Sequence, residues 1–193
     1  ENFADLPDDS VWEPLYDYLY DLITQHRTTL IFANMRAQTE RIARHLNDRH
    51  RSRGGDAQAR IALAHHGSIS REARYEIEER LKQGKIAAVV ATASLELGID
   101  IGNIDLVVHL ESPKSIAIAL QRIGRSGHLL SATSKGRIIP LYPADLDDAV
   151  ALTRALYHSD IEEIIIPENA LDVLAQQIVA EVSMRAYGHD ELY

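Results

Sequence analysis

The sequence has 193 residues, of which 46% are hydrophobic, so it can bury a core of its own and is too apolar for a disordered acidic tail. It contains no cysteine, which excludes a disulfide framework and any thiolate metal site. No apolar run approaches the roughly 20 residues of a membrane span, and the acidic first ten residues are unlike a signal peptide. We therefore expect a cytoplasmic globular protein with no membrane partner.

The formal net charge of −9 at pH 7 is unevenly distributed along the chain. Residues 1–21 contain seven acidic side chains and no basic one, whereas residues 112–144 contain no acidic side chain. The second segment carries five fixed cations: Lys114, Arg122, Arg125, Lys135 and Arg137. Such a segment can bind an anionic partner despite the acidity of the whole chain, so the net charge does not exclude nucleic acid.

Five short, continuously apolar runs predict strands that are buried on both faces. They span residues 28–34, 60–66, 87–93, 104–110 and 136–142. Helical patterns lie between them, including one over 35–50 and one over 70–84 that begins with Ser70 as its cap. This alternation predicts an α/β fold, an open parallel sheet flanked by helices.

The loops after the strands are candidates for ligand contacts, since ligands of an open parallel sheet bind at the carboxyl ends of its strands. These loops are rich in small, hydroxyl and amide side chains, as in HHGSIS (65–70) and ATASLELGID (91–100). Such residues suit contacts with phosphate or sugar, although serine and glycine in a loop also serve simply to form turns. Both interpretations remain open at this point.

The pattern changes after a helix expected over 143–159. A short extended run leads to Pro167, and an amphipathic helix follows, with apolar side chains at helical spacing at Leu171, Leu174, Ile178 and Val182. We therefore expect one domain over residues 1–160 and, over 161–193, a linker and the incomplete start of a second domain.

The sequence lacks the motifs that hold a nucleoside triphosphate. No G-x-x-x-x-G-K-[ST] loop occurs, because at Gly84-Lys85 the position of the earlier glycine holds Glu79 and no hydroxyl residue follows. No strand ends in an Asp-Glu pair suited to Mg²⁺. This chain by itself is therefore not expected to hydrolyse a triphosphate.

The segment QRIGRSGH (121–128) places Arg122 and Arg125 three residues apart, at the end of a helix predicted to start near Ser115. Arginine suits a transferring phosphoryl group because its planar guanidinium is permanently charged and can bind two oxygens at once. The two glycines of the segment leave room for a close approach. Taken alone, however, the pair is more simply explained as surface cations at a helix C-terminus, where the helix dipole favours them.

Five segments in order resemble motifs IV, IVa, V, Va and VI of a superfamily 2 helicase: TTLIFANMR, HHGSIS, VVATASLELGIDIG, VVHLESPKS and QRIGRSGH. They are similar in detail to the large helicase-related (Lhr) family, and the resemblance covers nearly the whole chain. It implies the second RecA-like lobe, or helicase C-terminal lobe, of a two-lobed motor. The first lobe, with the phosphate loop and the magnesium acid, is expected upstream, and a winged-helix domain is expected to begin within 161–193.

For the nucleotide, the resemblance implies that ATP binds between the lobes, with ATP and Mg²⁺ held mainly by the first lobe. The second lobe would supply arginine fingers, with Arg125 as the first candidate and Arg122 as the second. Three further residues would lie on the nucleotide side: Gln121, Gly98 and Asp100. Motif VI commonly ends in a third arginine, and His128 stands at that position here.

For nucleic acid, the resemblance implies phosphate contacts from several loops at one edge of the sheet. The candidates are Asn34, Arg36, His66, Gly67, Ser68, Thr92 and Ser94. Such contacts would hold a single strand without reading its sequence. The adjacent His65 and His66 have no cysteine or carboxylate at ligand spacing, so we expect no metal site.

The expected function is that of a motor lobe in an ATP-dependent DNA helicase, with single-stranded DNA as the partner and RNA or a hybrid as alternatives. A non-catalytic interaction module of the same shape, in which QRIGRSGH docks an acidic partner, is a second interpretation. A dinucleotide-binding domain is a third, disfavoured because no G-x-G-x-x-G follows the first strand. Tyr16, Tyr18 and Tyr20 are expected to pack as part of a helix rather than to stack on bases, since their neighbours are acidic.

Overall fold

A computed structural model describes residues 11–96, 101–126, 134–158, 160–163 and 168–191 of the chain. The chain divides into two compact units, Glu1–Glu162 and Glu163–Tyr193. None of the helices in the described ranges combines the length and the apolar character that crossing a lipid bilayer requires.

The first unit alternates helices and strands. Its α-helices are α1 (Trp12–Gln25), α2 (Arg36–Ser52), α3 (Arg71–Lys82), α4 (Ile116–Ile123) and α5 (Pro143–His158). Its strands are β1 (Thr29–Phe32), β2 (Ala62–His65), β3 (Ala88–Ala91), β4 (Leu106–Leu110) and β5 (Gly136–Ile139), and a 3₁₀ turn, Ala93–Leu95, follows β3. The second unit contains α6 (Leu171–Met184) and a 3₁₀ turn, His189–Glu191.

The five strands form one parallel sheet in the order β2-β3-β1-β4-β5. Thr29 of β1 pairs with Ala88 of β3 on one side and with Leu106 of β4 on the other, so β1 is the central strand. All five runs predicted as strands are confirmed, and the open parallel α/β fold is confirmed with them. Because every strand points the same way, the loops that follow them lie at one edge of the sheet.

Strands β1, β3 and β4 are buried on both faces because helices cover both faces, whereas the edge strand β5 is exposed to half-buried, unlike the expectation for all five runs. Ile31, Val90 and Val108 pack against α1 and α2 in one cluster of buried side chains. Leu30, Phe32, Val89 and Val107 face the opposite way, into a cluster that includes Ile77 and Leu81 of α3. Each fully buried side chain of this size contributes about 1.5–3 kcal/mol of transfer free energy, so the two clusters hold the lobe together.

Helix α1 packs on α2 through its aromatic stripe. Tyr16 is fully buried and Tyr20 is 8% exposed, which confirms the packing role expected of these two tyrosines, whereas Tyr18 is 44% exposed. Three arginines lie over aromatic rings of α1: Arg41 and Arg49 of α2, and Arg53 directly after it. The Arg49 guanidinium is 5.2 Å from the ring centre of Tyr16. The acidic side chains of α1 alternate with these rings and bind Arg49 and Arg53, which accounts for part of the acidity of the N-terminal segment.

The helix caps follow the sequence at two of the predicted starts. The Ser70 hydroxyl accepts a hydrogen bond from Ala73 N at 3.2 Å, and the Ser115 hydroxyl accepts one from Ile118 N at 3.1 Å. Helix α4 is shorter than expected and ends at Ile123. Arg125 therefore lies in the turn after α4, because Arg125 N donates to the carbonyl of Arg122 and tightens the chain out of the helix.

Candidate functional site

The predicted phosphate-contacting residues lie at the carboxyl edge of the sheet, after three neighbouring strands. Asn34 and Arg36 follow β1, Gly67 and Ser68 follow β2, and Thr92 follows β3. The Arg36 guanidinium donates to the Ser68 hydroxyl at 2.5 Å, which joins the loops after β1 and β2 across the end of β3. The sheet thus brings together Arg36 and Ser68, which are 32 positions apart in sequence.

Four of these residues face solvent: Asn34, Arg36, Gly67 and Ser68 are exposed, and Thr92 is half-buried. A Cβ added at Gly67 would meet no atom within 4 Å, so nothing in the described lobe requires glycine there. The Asn34 amide donates to the Glu111 carboxylate at 2.6 Å, at the end of β4. Glu111 has a φ of 66°, a left-handed conformation that costs a non-glycine residue about 1 kcal/mol or more.

His66 is buried, unlike its neighbours in the loop, and both of its ring nitrogens have partners. Its Nδ1 accepts from Ser68 N at 3.3 Å, and its Nε2 lies 2.9 Å from the Glu40 carboxylate. A neutral ring with its proton on Nε2 satisfies both contacts. His66 therefore holds the loop after β2 through hydrogen bonds, while Gly67 and Ser68 of that loop are exposed to solvent.

His65, the last residue of β2, is 1% exposed and ties three elements together. Its Nδ1 lies 2.7 Å from Ser94 Oγ, and its Nε2 lies 3.0 Å from Glu78 Oε1 of α3. The Ser94 hydroxyl also donates to the His65 carbonyl at 3.0 Å. Burial lowers the pKa of His65 despite the neighbouring Glu78 carboxylate, so the neutral ring is favoured.

No pattern in the sequence predicts this role of His65. The carboxylates beside the two histidines, Glu78 and Glu40, come from α3 and α2, 13 and 26 positions away. A search for ligands at close spacing does not find them, since only the packing of the helices on the sheet brings them near.

The two arginines of QRIGRSGH converge on Glu96, just after the 3₁₀ turn. Arg122 binds the Glu96 carboxylate through Nε at 2.8 Å and through its terminal nitrogen, with the two side chains 11% and 15% exposed. The Arg125 guanidinium donates to the backbone carbonyl of Glu96 at 2.6 Å. Gln121, in the last turn of α4, is exposed. Both candidate arginine fingers therefore bind the same residue, Glu96, in the loop that follows β3.

The Arg122 guanidinium also packs into the lobe. It lies 4.6 Å from the ring centre of Phe32, and the ring of His109 also stacks with Phe32, with ring centres 5.5 Å apart and an angle of 19° between the planes. His109 is fully buried, and neither of its ring nitrogens has a hydrogen-bond partner within the described part of the chain. Burial, together with the charge of Arg122, lowers the pKa of His109 to about 3. The ring is therefore neutral at physiological pH, which suits a position near a cation.

Helix α4 is fixed at its N-terminus as well. The Glu162 carboxylate accepts hydrogen bonds from the backbone nitrogens of Ile116 and Ala117, the latter at 3.2 Å. The hydrogen bond from Ile116 lowers the pKa of Glu162, because a carboxylate that accepts from free helix N–H groups is stabilised in its charged form. Glutamate carboxylates thus anchor the arginine-bearing helix at both ends, Glu162 by accepting backbone hydrogen bonds and Glu96 by pairing with Arg122.

Three residues named from the sequence lie outside the described ranges. Gly98 and Asp100, expected on the nucleotide side, follow Glu96 directly, and His128 follows the arginine turn. Their roles stay predictions.

The comparisons with known proteins agree with this geometry. A family model described as the helicase conserved C-terminal domain matches residues 13–129. The ATP-dependent helicase Lhr-Core of Methanothermobacter thermautotrophicus is 51% identical over 170 residues, which cover 88% of this chain and 19% of that protein. A structure of Mycobacterium smegmatis helicase Lhr bound to ssDNA and AMP-PNP has a TM-score of 0.88 at 40% identity, covering 99% of this chain and 25% of that chain. A DEAD box protein from Methanococcus jannaschii shares the fold, with a TM-score of 0.57 at 24% identity over 74% of this chain and 36% of that chain.

A parallel five-stranded sheet with hydroxyl and arginine loops at one edge, matched by these structures, is the RecA-like C-terminal lobe of a superfamily 2 helicase. Sequence identity of about half to the Lhr-Core proteins, over most of the chain, identifies the family within this superfamily. The chain belongs to the Lhr family of helicases. It spans about a fifth of the length of the Lhr-Core relatives.

Proposed function

We propose that this chain is the second motor lobe of an ATP-dependent translocase on single-stranded DNA, working with a first RecA-like lobe that carries the phosphate loop. The observation that supports this most is the position of residues 92–96 between two clusters. Ser94 bonds to His65 at the end of β2, and Glu96, two residues on, binds Arg122 and Arg125. A shift of the arginines on ATP binding would therefore be felt at the strand-binding loops.

Arg125 is the proposed arginine finger. One of its contacts, with Glu96, is to a backbone carbonyl, a neutral acceptor, which a phosphate oxygen can replace with a gain in charge pairing. Arg122 would have to leave a carboxylate and a stacked ring, and its side chain is 11% exposed. We assign it the task of holding the end of α4, so that Arg125 is presented at the lobe surface.

The nucleotide would lie between this lobe and the first one. When bound, ATP supplies the phosphoryl group whose developing charge Arg125 would stabilise, and exposed Gln121 would contact the same group. The two cationic side chains at the edge suit a triphosphate, whereas the described residues contain no cluster of three or more His, Cys, Asp or Glu side chains placed to hold a metal. Mg²⁺ is therefore assigned to the first lobe.

The strand-binding surface would consist of Asn34, Arg36, Gly67, Ser68, Thr92 and Ser94. Helix α2 begins at Arg36, and its N-cap residue, Met35, provides no side-chain cap. The free N–H groups of the first turn therefore point toward the same edge as the Arg36 guanidinium, an arrangement that favours phosphate. The relative from M. smegmatis was solved with ssDNA, which supports a single strand as the ligand. RNA and hybrids share the phosphate chemistry and stay as alternatives.

The finger assignment is tested by Arg125→Ala in the complete two-lobed protein. We expect ATP turnover to fall by about 10³-fold or more, because the transition-state charge loses its partner, while the affinity for single-stranded DNA stays within about twofold. The measurement is steady-state hydrolysis with saturating oligonucleotide.

Arg137→Ala is the matched control for this test, since it removes an equal charge from an exposed position on edge strand β5. It should hydrolyse ATP normally. A variant lacking Arg125 that turns over at the wild-type rate would refute the finger and favour a non-catalytic interaction module.

The strand-binding surface is tested by Gly67→Ala. The added methyl group meets no atom within 4 Å in the lobe, so the melting temperature should not fall. If a phosphate approaches the backbone here, the methyl group blocks it, and we expect oligonucleotide affinity to drop about tenfold, the equivalent of about 1.4 kcal/mol. Unchanged affinity, measured by fluorescence anisotropy, would remove this loop from the surface.

A further inference from the structure

The hydrogen bonds around His65 need more protons than a neutral ring can supply. Ser94 Oγ lies 3.0 Å from the His65 carbonyl and 2.7 Å from His65 Nδ1, and it carries one proton. If that proton goes to the carbonyl, Nδ1 must donate to Oγ. Nε2 faces the Glu78 carboxylate at 3.0 Å and must donate as well. The full set of contacts therefore requires two ring protons, the imidazolium form.

A neutral His65 can make only some of these hydrogen bonds. With its proton on Nε2, the ring donates to Glu78, and Nδ1 accepts the hydroxyl proton of Ser94. The Ser94 hydroxyl then points inward, and its oxygen offers only lone pairs to an approaching anion. Once Nδ1 carries a proton, the hydroxyl proton of Ser94 is released to rotate toward a phosphate oxygen. Ser94 is half-buried, so the residue is reached from the edge of the sheet.

The adjacent histidine, His66, does not need a second ring proton. His66 accepts from Ser68 N through Nδ1 and contacts the Glu40 carboxylate through Nε2, so one proton completes its contacts. Among the described residues, the charged or titratable groups that act on His65 are Glu78 and Arg74 of α3 and the neighbouring ring of His66. Burial favours the neutral form of His65 in the free lobe and lowers its pKa, so the second proton must arrive with a ligand.

We propose that His65 is a positioning residue for the strand-binding surface, and that nucleic-acid phosphate bound at Ser94 recruits a proton from solvent onto its Nδ1. The proposal rests on the proposed function, since it needs a phosphate at this edge. It deepens that function by making strand binding and the proton on His65 mutually dependent. Each bound strand takes up as much as one proton, and affinity rises as pH falls.

The test is calorimetric titration of the complete protein with a twelve-residue oligothymidylate, whose bases bind no proton near neutral pH. The difference between the binding enthalpies measured at pH 7 in PIPES and in Tris buffer, divided by the difference between the ionisation enthalpies of the two buffers, gives the number of protons taken up. We expect uptake approaching one proton, and an affinity that rises by about threefold or more from pH 7.5 to pH 6, since each linked proton contributes up to tenfold per pH unit.

Three variants make this result specific. Ser94→Ala and His65→Gln should still bind the oligonucleotide, more weakly, with no proton uptake, whereas His66→Gln should keep the uptake. Ser94→Ala carries the test if His65→Gln does not fold. Wild-type binding without proton uptake would overturn the role of His65 alone. Absence of oligonucleotide binding at every pH would overturn the strand-binding surface as well.

Discussion

At the scale of single residues, buried polar groups are the most informative feature of this lobe. The cationic guanidinium of Arg122 and the neutral imidazole of His109 both pack against the ring of Phe32 and form a stack with it. The stack tolerates His109 without hydrogen bonds because an imidazole can lose its charge, whereas a lysine or arginine at this position would leave a second cation beside Arg122. The cost of the unpaired imidazole nitrogens is paid in stability.

The pKa of His109, about 3, predicts acid sensitivity of the fold. Below pH 6.5 the unfolded chain protonates this ring, while the folded lobe does not until the pH approaches 3. The unfolded state therefore binds more protons in this window, and the free energy of unfolding falls as the pH falls. Between pH 7 and pH 5 this ring accounts for a loss of about 2 kcal/mol. Urea unfolding of the 193-residue chain at the two pH values measures it.

His109→Phe provides the comparison for that experiment. Phenylalanine has no proton to bind and no unpaired nitrogen, so we expect the variant to be at least as stable at pH 7 and to lose about 2 kcal/mol less on going to pH 5. Part of the wild-type loss should persist, since the pKa of His65 is lowered too. Equal pH dependence in the two proteins would show that His109 is not buried in its neutral form.

At the scale of elements, the contact between α1 and α2 depends on side chains that combine charge with aromatic stacking. Arg49 is the centre of this contact. Its side chain, 13% exposed, binds Glu13 and Asp17 and lies over Tyr16. The Asp17 pKa is lowered, chiefly by the hydrogen bond from Arg49, in line with a pairing that favours the charged carboxylate.

Arg49→Met should therefore lower the free energy of unfolding by about 1–2 kcal/mol, the sum expected of one cation–π contact and partly exposed ion pairs. Arg51→Met is the matched control on the same helix. Arg51 pairs with Asp48 at the surface, where the two side chains are 50% and 44% exposed, so its loss should cost less than about 0.5 kcal/mol. Equal effects in urea unfolding would mean that the stacked contact contributes nothing.

At the scale of the whole molecule, the proposed function assigns one half of a nucleotide site to this lobe. The described residues supply cations at one edge of the sheet, and the sequence has no G-x-x-x-x-G-K-[ST] loop. The chain spans about a fifth of the length of its Lhr-Core relatives, and we propose that a first RecA-like lobe supplies the other half.

The purified 193-residue chain is therefore predicted to hydrolyse no ATP above background, with or without oligonucleotide. Addition of the first lobe, or its presence in one polypeptide, should give hydrolysis that single-stranded DNA stimulates. Turnover by the isolated chain would contradict the division of the site between two lobes. If the ATPase of the first lobe were unchanged by this chain, the chain would be an interaction module.

Local sequence determined a large part of this protein. Five apolar runs and two serine caps predicted the strands and helix starts, because strand burial and capping depend on residues that are neighbours in the chain. The end of α4 was placed too late, since the turn after Ile123 is closed by hydrogen bonds that no periodicity reveals. The order of the motifs correctly predicted the family, as the match to the helicase C-terminal domain shows.

Tertiary structure alone decided what each polar group does at the edge of the sheet. The pairings of His65 with Glu78, of His66 with Glu40 and of Arg122 with Glu96 join positions 13 to 26 apart. In the described lobe, the side chains of two residues predicted to contact ligand, His66 and Arg122, are largely buried and paired with carboxylates, and their ligand contacts stay predictions. The reason is physical. Whether a side chain is free to bind a ligand depends on partners that folding brings close, and spacing along the chain does not encode them.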